Sequence, residues 1–235
     1  VRITGGEPLL RREIENLISR LSQIEGVEDL TLTTNGYLLG QMAESLRAAG
    51  LNRITVSLDS LDDKVFKRMN GRGYGVARVV EGIEKAAFAG FDPIKVNVVV
   101  QRGVNDHTVL ELARYFHGTG HIVRFIEYMD VGNRNGWELS EVVPGSELVD
   151  MIHRDMPLRV SAPNYVGEVA QRYQYLDGGG EIGVICSVTR PFCGECTRAR
   201  LSNDGKLYTC LFAGEGLDLK GPLRAGADDD ALYEL

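Results

Sequence analysis

The stretch VRITGGEPLLRREIENLISRL, residues 1–21, begins an alternation of strand, turn and helix that continues along the first half of the chain. Its first four residues are mostly β-branched and predict a strand. A turn with two glycines, a glutamate and a proline follows, and the next segment predicts a helix over residues 11–24. The apolar residues at helical spacing in that segment are Ile14, Leu17, Ile18 and Leu21.

The same order of strand, turn and helix recurs downstream. Further strands are predicted over residues 29–34, 53–58, 94–100 and 122–129. The predicted helices cover residues 38–49, 62–70, 76–89 and 106–116. This alternation predicts an α/β fold, with a parallel sheet that is covered by helices and whose strands are apolar on both faces.

The carboxyl ends of these strands carry glycine and polar residues, in TGGEP, TTNG, SLDS, QRGVN and MDVGN. In α/β barrels the active site lies at that end of the strands. A doubly wound open sheet is the competing architecture, although no GxGxxG follows a strand. We predict a partial barrel with five visible strands over residues 1–133 and a mixed α+β region over residues 134–235.

The later region is predicted to begin with a helix over residues 144–156 and to continue in hairpins at the DGGGE and NDGK turns. The whole chain of 235 residues is 43% hydrophobic and 25% charged, which is typical of a soluble globular protein. A net charge of −7 disfavours a nucleic-acid scaffold. Without a signal peptide or a long apolar run, we expect a cytoplasmic protein.

Three cysteines, Cys193, Cys196 and Cys210, have the spacing C-x2-C-x13-C, which is typical of a metal centre. Cys210 can return to the other two across the NDG turn. Spacing alone leaves two centres open: a zinc site with Cys186 as the fourth ligand, and a [4Fe–4S] cluster with three cysteines and one open iron. Unliganded structural thiols are the third alternative.

Two arginines follow the second cysteine of this run. Arg198 and Arg200 are two residues apart, so on a strand they would share one face. Two guanidinium groups on one face form a fork for carboxylate or phosphate oxygens. A solvated strand edge with surface ion pairs is the alternative interpretation.

The motifs RITGGEPLLRR, LTTNG, VSLDSLDD, KVNVVVQRGVND, RFIEYMDVGN and CGECTRARLSNDGKLYTCLF occur in this order. Together they resemble the MoaA family, which comprises the GTP 3′,8-cyclases of molybdenum-cofactor biosynthesis in the radical S-adenosylmethionine (SAM) superfamily. The resemblance covers essentially the whole chain. It implies an incomplete radical SAM (β/α)6 TIM-like barrel, followed by a C-terminal region that carries an auxiliary [4Fe–4S] cluster.

The resemblance also implies the chemistry. An N-terminal cluster cleaves SAM to a radical that abstracts hydrogen from C3′ of GTP, and C3′ then attacks C8 to give (8S)-3′,8-cyclo-7,8-dihydroguanosine 5′-triphosphate. The C-terminal cluster, with Cys193, Cys196 and Cys210 as ligands, binds the purine at its open iron. No catalytic side chain is assigned, since the cofactors carry the chemistry.

Residue by residue, the resemblance implies two sets of ligand contacts in addition to the cysteines. The implied GTP contacts are Arg2, Thr33, Lys95, Arg198, Ala199 and Arg200. The implied SAM contacts are Gly6, Ser57 and Met129. Because GTP is strongly anionic and the protein is acidic, local cations are needed to hold it. Cys186 receives no role and is interpreted as a buried thiol.

The family's N-terminal CxxxCxxC segment is absent from this sequence, so we expect a fragment of a longer, active enzyme. The fragment alone is expected to bind GTP without cleaving SAM. The implied partners are a MoaC-type cyclic pyranopterin monophosphate synthase, an electron donor such as flavodoxin, and a second copy in a homodimer; no nucleic acid or membrane is expected. The rival hypotheses are a radical SAM enzyme for another substrate and a zinc-stapled binding module.

Overall fold

The computed structural model describes residues 1–131 and 136–235, apart from the side chain of Glu195. It has two compact units, Val1–Phe192 and Cys193–Leu235. The domain boundary predicted between residues 133 and 134 lies outside the described residues and stays a prediction.

The larger unit alternates strands and helices, as predicted. Its strands are β1 (Arg2–Ile3), β2 (Thr31–Thr34), β3 (Arg53–Ser57), β4 (Lys95–Val100), β5 (Ile122–Glu127), β6 (Leu158–Ser161), β7 (Gln171–Tyr175) and β8 (Glu181–Ile185). Its helices are α1 (Ile14–Ser22), α2 (Leu39–Ala48), α3 (Asp63–Asn70), α4 (Val76–Phe88), α5 (Val109–Phe116) and α6 (Gly145–Asp155). Short 3-10 turns cover Pro8–Leu10, Asp106–Thr108 and Leu139–Glu141.

All eight of these strands form one sheet in the order β1-β2-β3-β4-β5-β8-β7-β6. Strands β1 to β5 are parallel to their neighbours, which confirms the α/β fold with a parallel sheet. The sequence predicts five parallel strands, whereas the described residues contain six, because β8 pairs in parallel with β5. The sixth was missed because α6 and the antiparallel strands β6 and β7 separate it from β5 along the chain.

The two faces of this sheet differ in polarity. One face belongs to the main core, in which strand residues such as Val96 and Phe125 cluster with helix residues such as Leu46 and Ile83. On β4 and β5, buried residues alternate with half-buried ones, and the half-buried positions include charged and amide side chains. The expectation of strands that are apolar on both faces is therefore wrong for β4 and β5: their second face includes polar residues, and it carries the candidate site.

The smaller unit consists of short elements. They are β9 (Arg200–Leu201), β10 (Lys206–Tyr208), β11 (Leu217–Asp218), α7 (Lys220–Arg224), α8 (Asp229–Tyr233) and a 3-10 turn over Cys193–Glu195. The three strands form an antiparallel sheet in the order β11-β10-β9. The NDGK turn joins β9 to β10, and the DGGGE turn joins β7 to β8, so both predicted hairpins are confirmed. Gly205 in the first of these turns has a φ of 83°, which favours glycine.

No helix within the described ranges has both the length and the apolar character of a membrane span.

Candidate functional site

The polar face of the large sheet gathers positive charge. We call this cluster the cationic face. Its members are Arg2, Thr33, Arg53, Thr55, Lys95, Asn97 and Arg124, from the five strands β1 to β5. Strand pairing places them side by side: the Cα partners include Thr33 with Thr55, Thr55 with Lys95, and Asn97 with Arg124.

Hydroxyl groups orient Arg2 on the cationic face. Its Nη1 donates to Oγ1 of Thr33 over 3.0 Å and lies 3.3 Å from Oγ1 of Thr55. Burial lowers the pKa of Arg2, and the nearby charge of Arg53 lowers it further. The guanidinium is therefore held in place while part of its charge remains uncompensated.

Arg124 reaches the cationic face from β5, on the other side of Thr55 from Arg2. Its Nε donates to Oδ1 of Asn97 over 3.0 Å, and its Nη2 lies 3.5 Å from Oγ1 of Thr55. Burial lowers the pKa of Arg124 to about 10, with a further contribution from the charge of Arg2. A shift of this kind indicates a desolvated cation among like charges.

Lys95 lies between the two arginines in the strand order. Burial lowers the pKa of its ammonium group, and the charges of Arg124, Arg53 and Arg2 add to that effect. Arg53 forms a two-pronged ion pair with Asp29, so its charge is partly offset. Three further cations remain close together, which is the electrostatic environment that an anionic ligand would stabilise.

The predicted GTP contacts in the larger unit are thus brought together: Arg2, Thr33 and Lys95 lie on one face. The sequence interpretation missed their neighbours Thr55 and Arg124. Both lie in short strand sequences, RITVS and IVRFIE, in which polar residues occur at positions typical of an ordinary strand. The available signal was the alternation along β5, which puts Arg124 on the face opposite Phe125.

A second feature lies at the carboxyl ends of the strands. A cavity of about 630 Å³ is lined by Asp59, Gln101 and Met129, among others. Oδ1 of Asp59 accepts a hydrogen bond from the backbone N–H of Val99 over 2.8 Å, and burial raises the pKa of its carboxyl group to about 6. One of the three predicted SAM contacts, Met129, therefore lines a cavity of a size suited to a small molecule.

The other two predicted SAM contacts lie at strand ends. Ser57 is the last residue of β3, and Gly6 follows β1 in an exposed turn. The neighbouring Glu7 is engaged by the protein: Oε1 accepts from Oγ1 of Thr34 over 2.7 Å, and Oε2 accepts from the backbone N–H of Asn35 over 2.7 Å. Glu7 thereby joins the first glycine turn to the end of β2.

Glu127 braces the end of β5. It is fully buried, and Oε1 accepts from Gly145 N–H over 2.7 Å and from the Thr189 hydroxyl over 2.5 Å. Oε2 accepts from the backbone N–H groups of Val188 and Thr189, each over 2.8 Å. Burial alone would raise the pKa of Glu127, but these hydrogen bonds outweigh it and hold the pKa below its usual value.

The cysteines of the smaller unit have the right chemistry for iron but are not gathered. Cys193, Cys196 and Cys210 are free and exposed. Hydrogen bonds from the backbone and guanidinium of Arg198 lower the pKa of Cys196, which favours the thiolate that binds metals. In the part of the chain that the structure describes, no three His, Cys, Asp or Glu residues form a group that could hold a metal ion. The donor set therefore fits a cluster, whereas its present arrangement does not.

The two arginines beside the cysteines occupy different positions. Arg200 begins β9, whereas Arg198 precedes the strand and its Nε donates to Sγ of Cys196 over 3.2 Å. The expectation that both share one strand face is therefore not met. Nη1 of Arg200 is buried and has no hydrogen-bond partner within residues 1–131 and 136–235. Ala199 between them is exposed.

Two family models match this chain in succession. The model described as Radical SAM superfamily matches residues 1–116, and the model described as Molybdenum Cofactor Synthesis C matches residues 121–235. Among curated relatives, the GTP 3′,8-cyclase of Xanthomonas axonopodis pv. citri is 56% identical over 226 residues, which cover 96% of this chain and 68% of the relative. The chain belongs to the GTP 3′,8-cyclase family.

GTP 3′,8-cyclases from other organisms are also similar to this chain. The GTP 3′,8-cyclase of Acidothermus cellulolyticus is 50% identical over 99% of this chain and 64% of its own length. That of Staphylococcus saprophyticus is 49% identical over 100% of this chain and 69% of its own length. Membership confirms the resemblance seen in the motifs, and the radical SAM superfamily implies a [4Fe–4S] cluster and SAM as cofactors.

Solved structures agree on the fold of this GTP 3′,8-cyclase family member. SuiB of Streptococcus suis, in a crystal structure bound to S-adenosylmethionine, is 16% identical with a TM-score of 0.62, over 100% of this chain and 56% of that chain. Another crystal structure of SuiB gives a TM-score of 0.61 at 15% identity, over 99% of this chain and 56% of that chain. At this identity the likeness concerns the fold alone.

Proposed function

We propose that this chain is the GTP-binding part of a GTP 3′,8-cyclase, a radical SAM enzyme that converts GTP to (8S)-3′,8-cyclo-7,8-dihydroguanosine 5′-triphosphate in molybdenum-cofactor biosynthesis. The observation that carries the proposal is the cationic face. Three residues that the family resemblance assigns to GTP, Arg2, Thr33 and Lys95, lie together there, and Arg124 joins them.

The charges of the cationic face suit a triphosphate. Arginine and lysine are the side chains that bind phosphate oxygens best, arginine through its planar fork and lysine as a compact charge. Partial burial and the charges of neighbouring cations lower the pKa values of all three, as expected for cations that lie close together. A polyphosphate would relieve their mutual repulsion, so binding energy is available before any contact to the base is made.

In the proposal, the smaller unit also contributes to GTP recognition. Arg198, Ala199 and Arg200 are its assigned contacts, and the unpartnered buried Nη1 of Arg200 supports a role for that residue in ligand binding. Cys193, Cys196 and Cys210 are the proposed ligands of a C-terminal [4Fe–4S] cluster, which supplies an open iron for the purine. Because the cysteines are not gathered in the described residues, cluster loading must rearrange this segment.

SAM is assigned to the carboxyl ends of the larger unit's strands. Gly6, Ser57 and Met129 are the proposed contacts, and the cavity lined by Met129 supports this assignment. The parallel strands are interpreted as an incomplete (β/α)6 barrel, for which strand ends are the usual place of reaction. The proposal also includes a second cluster that cleaves SAM, a MoaC-type partner and a flavodoxin-like reductant. It further includes a homodimer and a cytoplasmic location.

Anaerobic calorimetric titration with GTP and with ATP tests this function. After reconstitution with iron and sulfide, the protein is expected to bind GTP in a saturable manner and to bind ATP at least tenfold more weakly, on the order of 1.4 kcal/mol. Equal affinity for both nucleotides would favour a radical SAM enzyme for another substrate. Absence of binding to either would contradict the proposal.

A further inference from the structure

Thr55 lies at the centre of the cationic face. It is on β3 and only 1% exposed, and its Cα pairs with those of Thr33 and Lys95 on the two neighbouring strands. Its Oγ1 lies 3.3 Å from Nη1 of Arg2 and 3.5 Å from Nη2 of Arg124. A single hydroxyl oxygen therefore accepts from two guanidinium groups, which come from strands two places away on either side.

Other contacts hold each arginine in this arrangement. Nη1 of Arg2 also donates to Thr33, and Nε of Arg124 donates to Asn97, both over 3.0 Å. The stem of Arg124 crosses Gly183 of β8: a Cβ added at that glycine would lie 3.1 Å from Cγ of Arg124. Because Gly183 has no side chain, the aliphatic part of Arg124 fits beside it. The neighbours of Arg124 therefore direct its guanidinium group towards Thr55.

The hydroxyl oxygen has an electrostatic role between these two charges. Two guanidinium groups that approach each other in a partly desolvated site repel, and each tends to turn towards water. An oxygen atom that both groups share offsets that repulsion and fixes their separation. A valine in the same place would keep the packing but would remove the shared acceptor.

We propose that Thr55 is a positioning residue, whose hydroxyl holds Arg2 and Arg124 at the spacing required to bind neighbouring phosphate groups of one triphosphate. The inference rests on the proposed function, because it concerns the same GTP site. Thr55 acts through the two arginines rather than by contact with the ligand. Its effect is therefore on the polyphosphate and not on the nucleoside.

Two substitutions separate the hydroxyl from the packing. Thr55→Val removes the oxygen and nearly keeps the shape, whereas Thr55→Ser keeps the oxygen. The full chain is titrated calorimetrically with GTP, with inorganic tripolyphosphate and with guanosine. Thr55→Val is expected to lower the affinity for GTP and for tripolyphosphate by about tenfold and to leave the affinity for guanosine unchanged. Thr55→Ser is expected to restore both affinities to within about threefold of wild type.

A matched control is available elsewhere in the same unit. Thr108 is 4% exposed, and its hydroxyl donates to the backbone carbonyl of Asn105 over 2.8 Å. Thr108→Val should lower thermal stability by about as much as Thr55→Val does, but it should leave tripolyphosphate affinity unchanged. If Thr55→Val does not fold, Thr55→Cys carries the same test, because a thiol is a weaker acceptor than a hydroxyl.

A double-mutant cycle distinguishes positioning from general stability. Arg124→Gln is measured in the wild-type and Thr55→Val backgrounds, and its effect on tripolyphosphate affinity should be smaller in the second. The inference would be overturned if the two substitutions lowered tripolyphosphate affinity additively. It would also be overturned if Thr55→Val weakened guanosine binding as much as tripolyphosphate binding, or if it bound tripolyphosphate as tightly as wild type. In those cases a wild type that binds GTP leaves the proposed function intact. A wild type that binds neither GTP nor tripolyphosphate overturns both.

Discussion

Nε of Arg124 donates a hydrogen bond to Oδ1 of Asn97 over 3.0 Å, from β5 to the adjacent strand β4. This cross-strand pair turns the guanidinium along the sheet towards Thr55, and the other end of the group lies 3.5 Å from that hydroxyl. The arginine is thus oriented by neutral hydrogen-bond partners rather than by an ion pair, and the charge of Glu168 offsets only part of the effect of burial and of the neighbouring cations on its pKa. A cation oriented in this way is suited to bind an anion.

Replacement of this arginine should weaken GTP binding even when the charge is kept. Arg124→Lys loses the planar fork and the contact to Asn97, so we expect GTP affinity to fall by one to two decades, or roughly 1.5–3 kcal/mol. Arg159→Lys is the control, since Arg159 is exposed on β6 and bonds only to Gln174 among the described contacts. Calorimetry that shows equal GTP affinity in Arg124→Lys and wild type would remove Arg124 from the site.

Asp59 should make the protein less stable as the pH rises from about 4 to 6. Its folded pKa of about 6 lies above the ordinary value because burial disfavours the carboxylate. The stabilisation from its neutral form is complete below the unfolded pKa and is lost as the pH rises through the folded pKa. Asp59→Asn keeps an acceptor for Val99 N–H and does not titrate.

Urea unfolding of wild type and Asp59→Asn at pH 4 and pH 7.5 measures this effect. The unfolding free energy of Asp59→Asn minus that of wild type should increase by about 2–3 kcal/mol from pH 4 to pH 7.5. A difference between the two proteins that does not change with pH would show that the carboxyl group is not desolvated.

Much of the fold could be predicted because apolar runs and amphipathic helices alternate regularly. The helix predicted over residues 76–89 is observed as Val76–Phe88, and the strand predicted over 94–100 as Lys95–Val100. The place of β8 could not be predicted, because EIGVI after a DGGG turn indicates a hairpin and not a parallel partner for β5.

The site was only partly accessible from the sequence. Arg2, Thr33 and Lys95 were found by family resemblance, while Thr55 and Asn97 look like ordinary strand residues until the pairing of β3, β4 and β5 is known. The pairing depends on tertiary structure, which short strands do not encode locally. The ligand roles of all these residues stay predictions.

Glu127 is expected to be essential for stability. Among the described residues, its carboxylate accepts from three backbone N–H groups and from the hydroxyl of Thr189. Glu127→Gln would place an amide NH2 against such donors, so we expect a loss of about 2–4 kcal/mol in unfolding free energy at pH 7. The loss should narrow below about pH 4, because the carboxylate is protonated as the pH falls through its lowered pKa.

Chemical unfolding of Glu127→Gln at pH 7 and pH 3.5 tests this, with Glu81→Gln as the control. Glu81 is exposed and pairs with Lys85 on the surface of α4, so its replacement should change stability by about 0–1 kcal/mol. Equal stability of Glu127→Gln and wild type at pH 7 would contradict the bracing role.

The cysteines differ in their expected contribution to iron binding. Anaerobic reconstitution should give about four irons per C-terminal cluster, and Cys196→Ser or Cys210→Ser should abolish that loading. Cys186→Ser should keep it, since the thiol of Cys186 packs against Gly145 and hydrogen-bonds with Thr189 and Glu127. Iron analysis that shows a loss of the cluster in Cys186→Ser would favour a four-cysteine site.

The most direct test of a GTP site on the cationic face is protection of Lys95 from an amine-reactive reagent. Burial and the neighbouring cations lower the pKa of Lys95, which raises its share of reactive free amine, and Lys85, which pairs with Glu81 on helix α4, is the internal control. Mass spectrometry of the labelled protein should show that saturating GTP slows modification of Lys95 by at least about tenfold and leaves Lys85 unaffected. Equal labelling of Lys95 with and without saturating GTP would contradict a GTP site on this face.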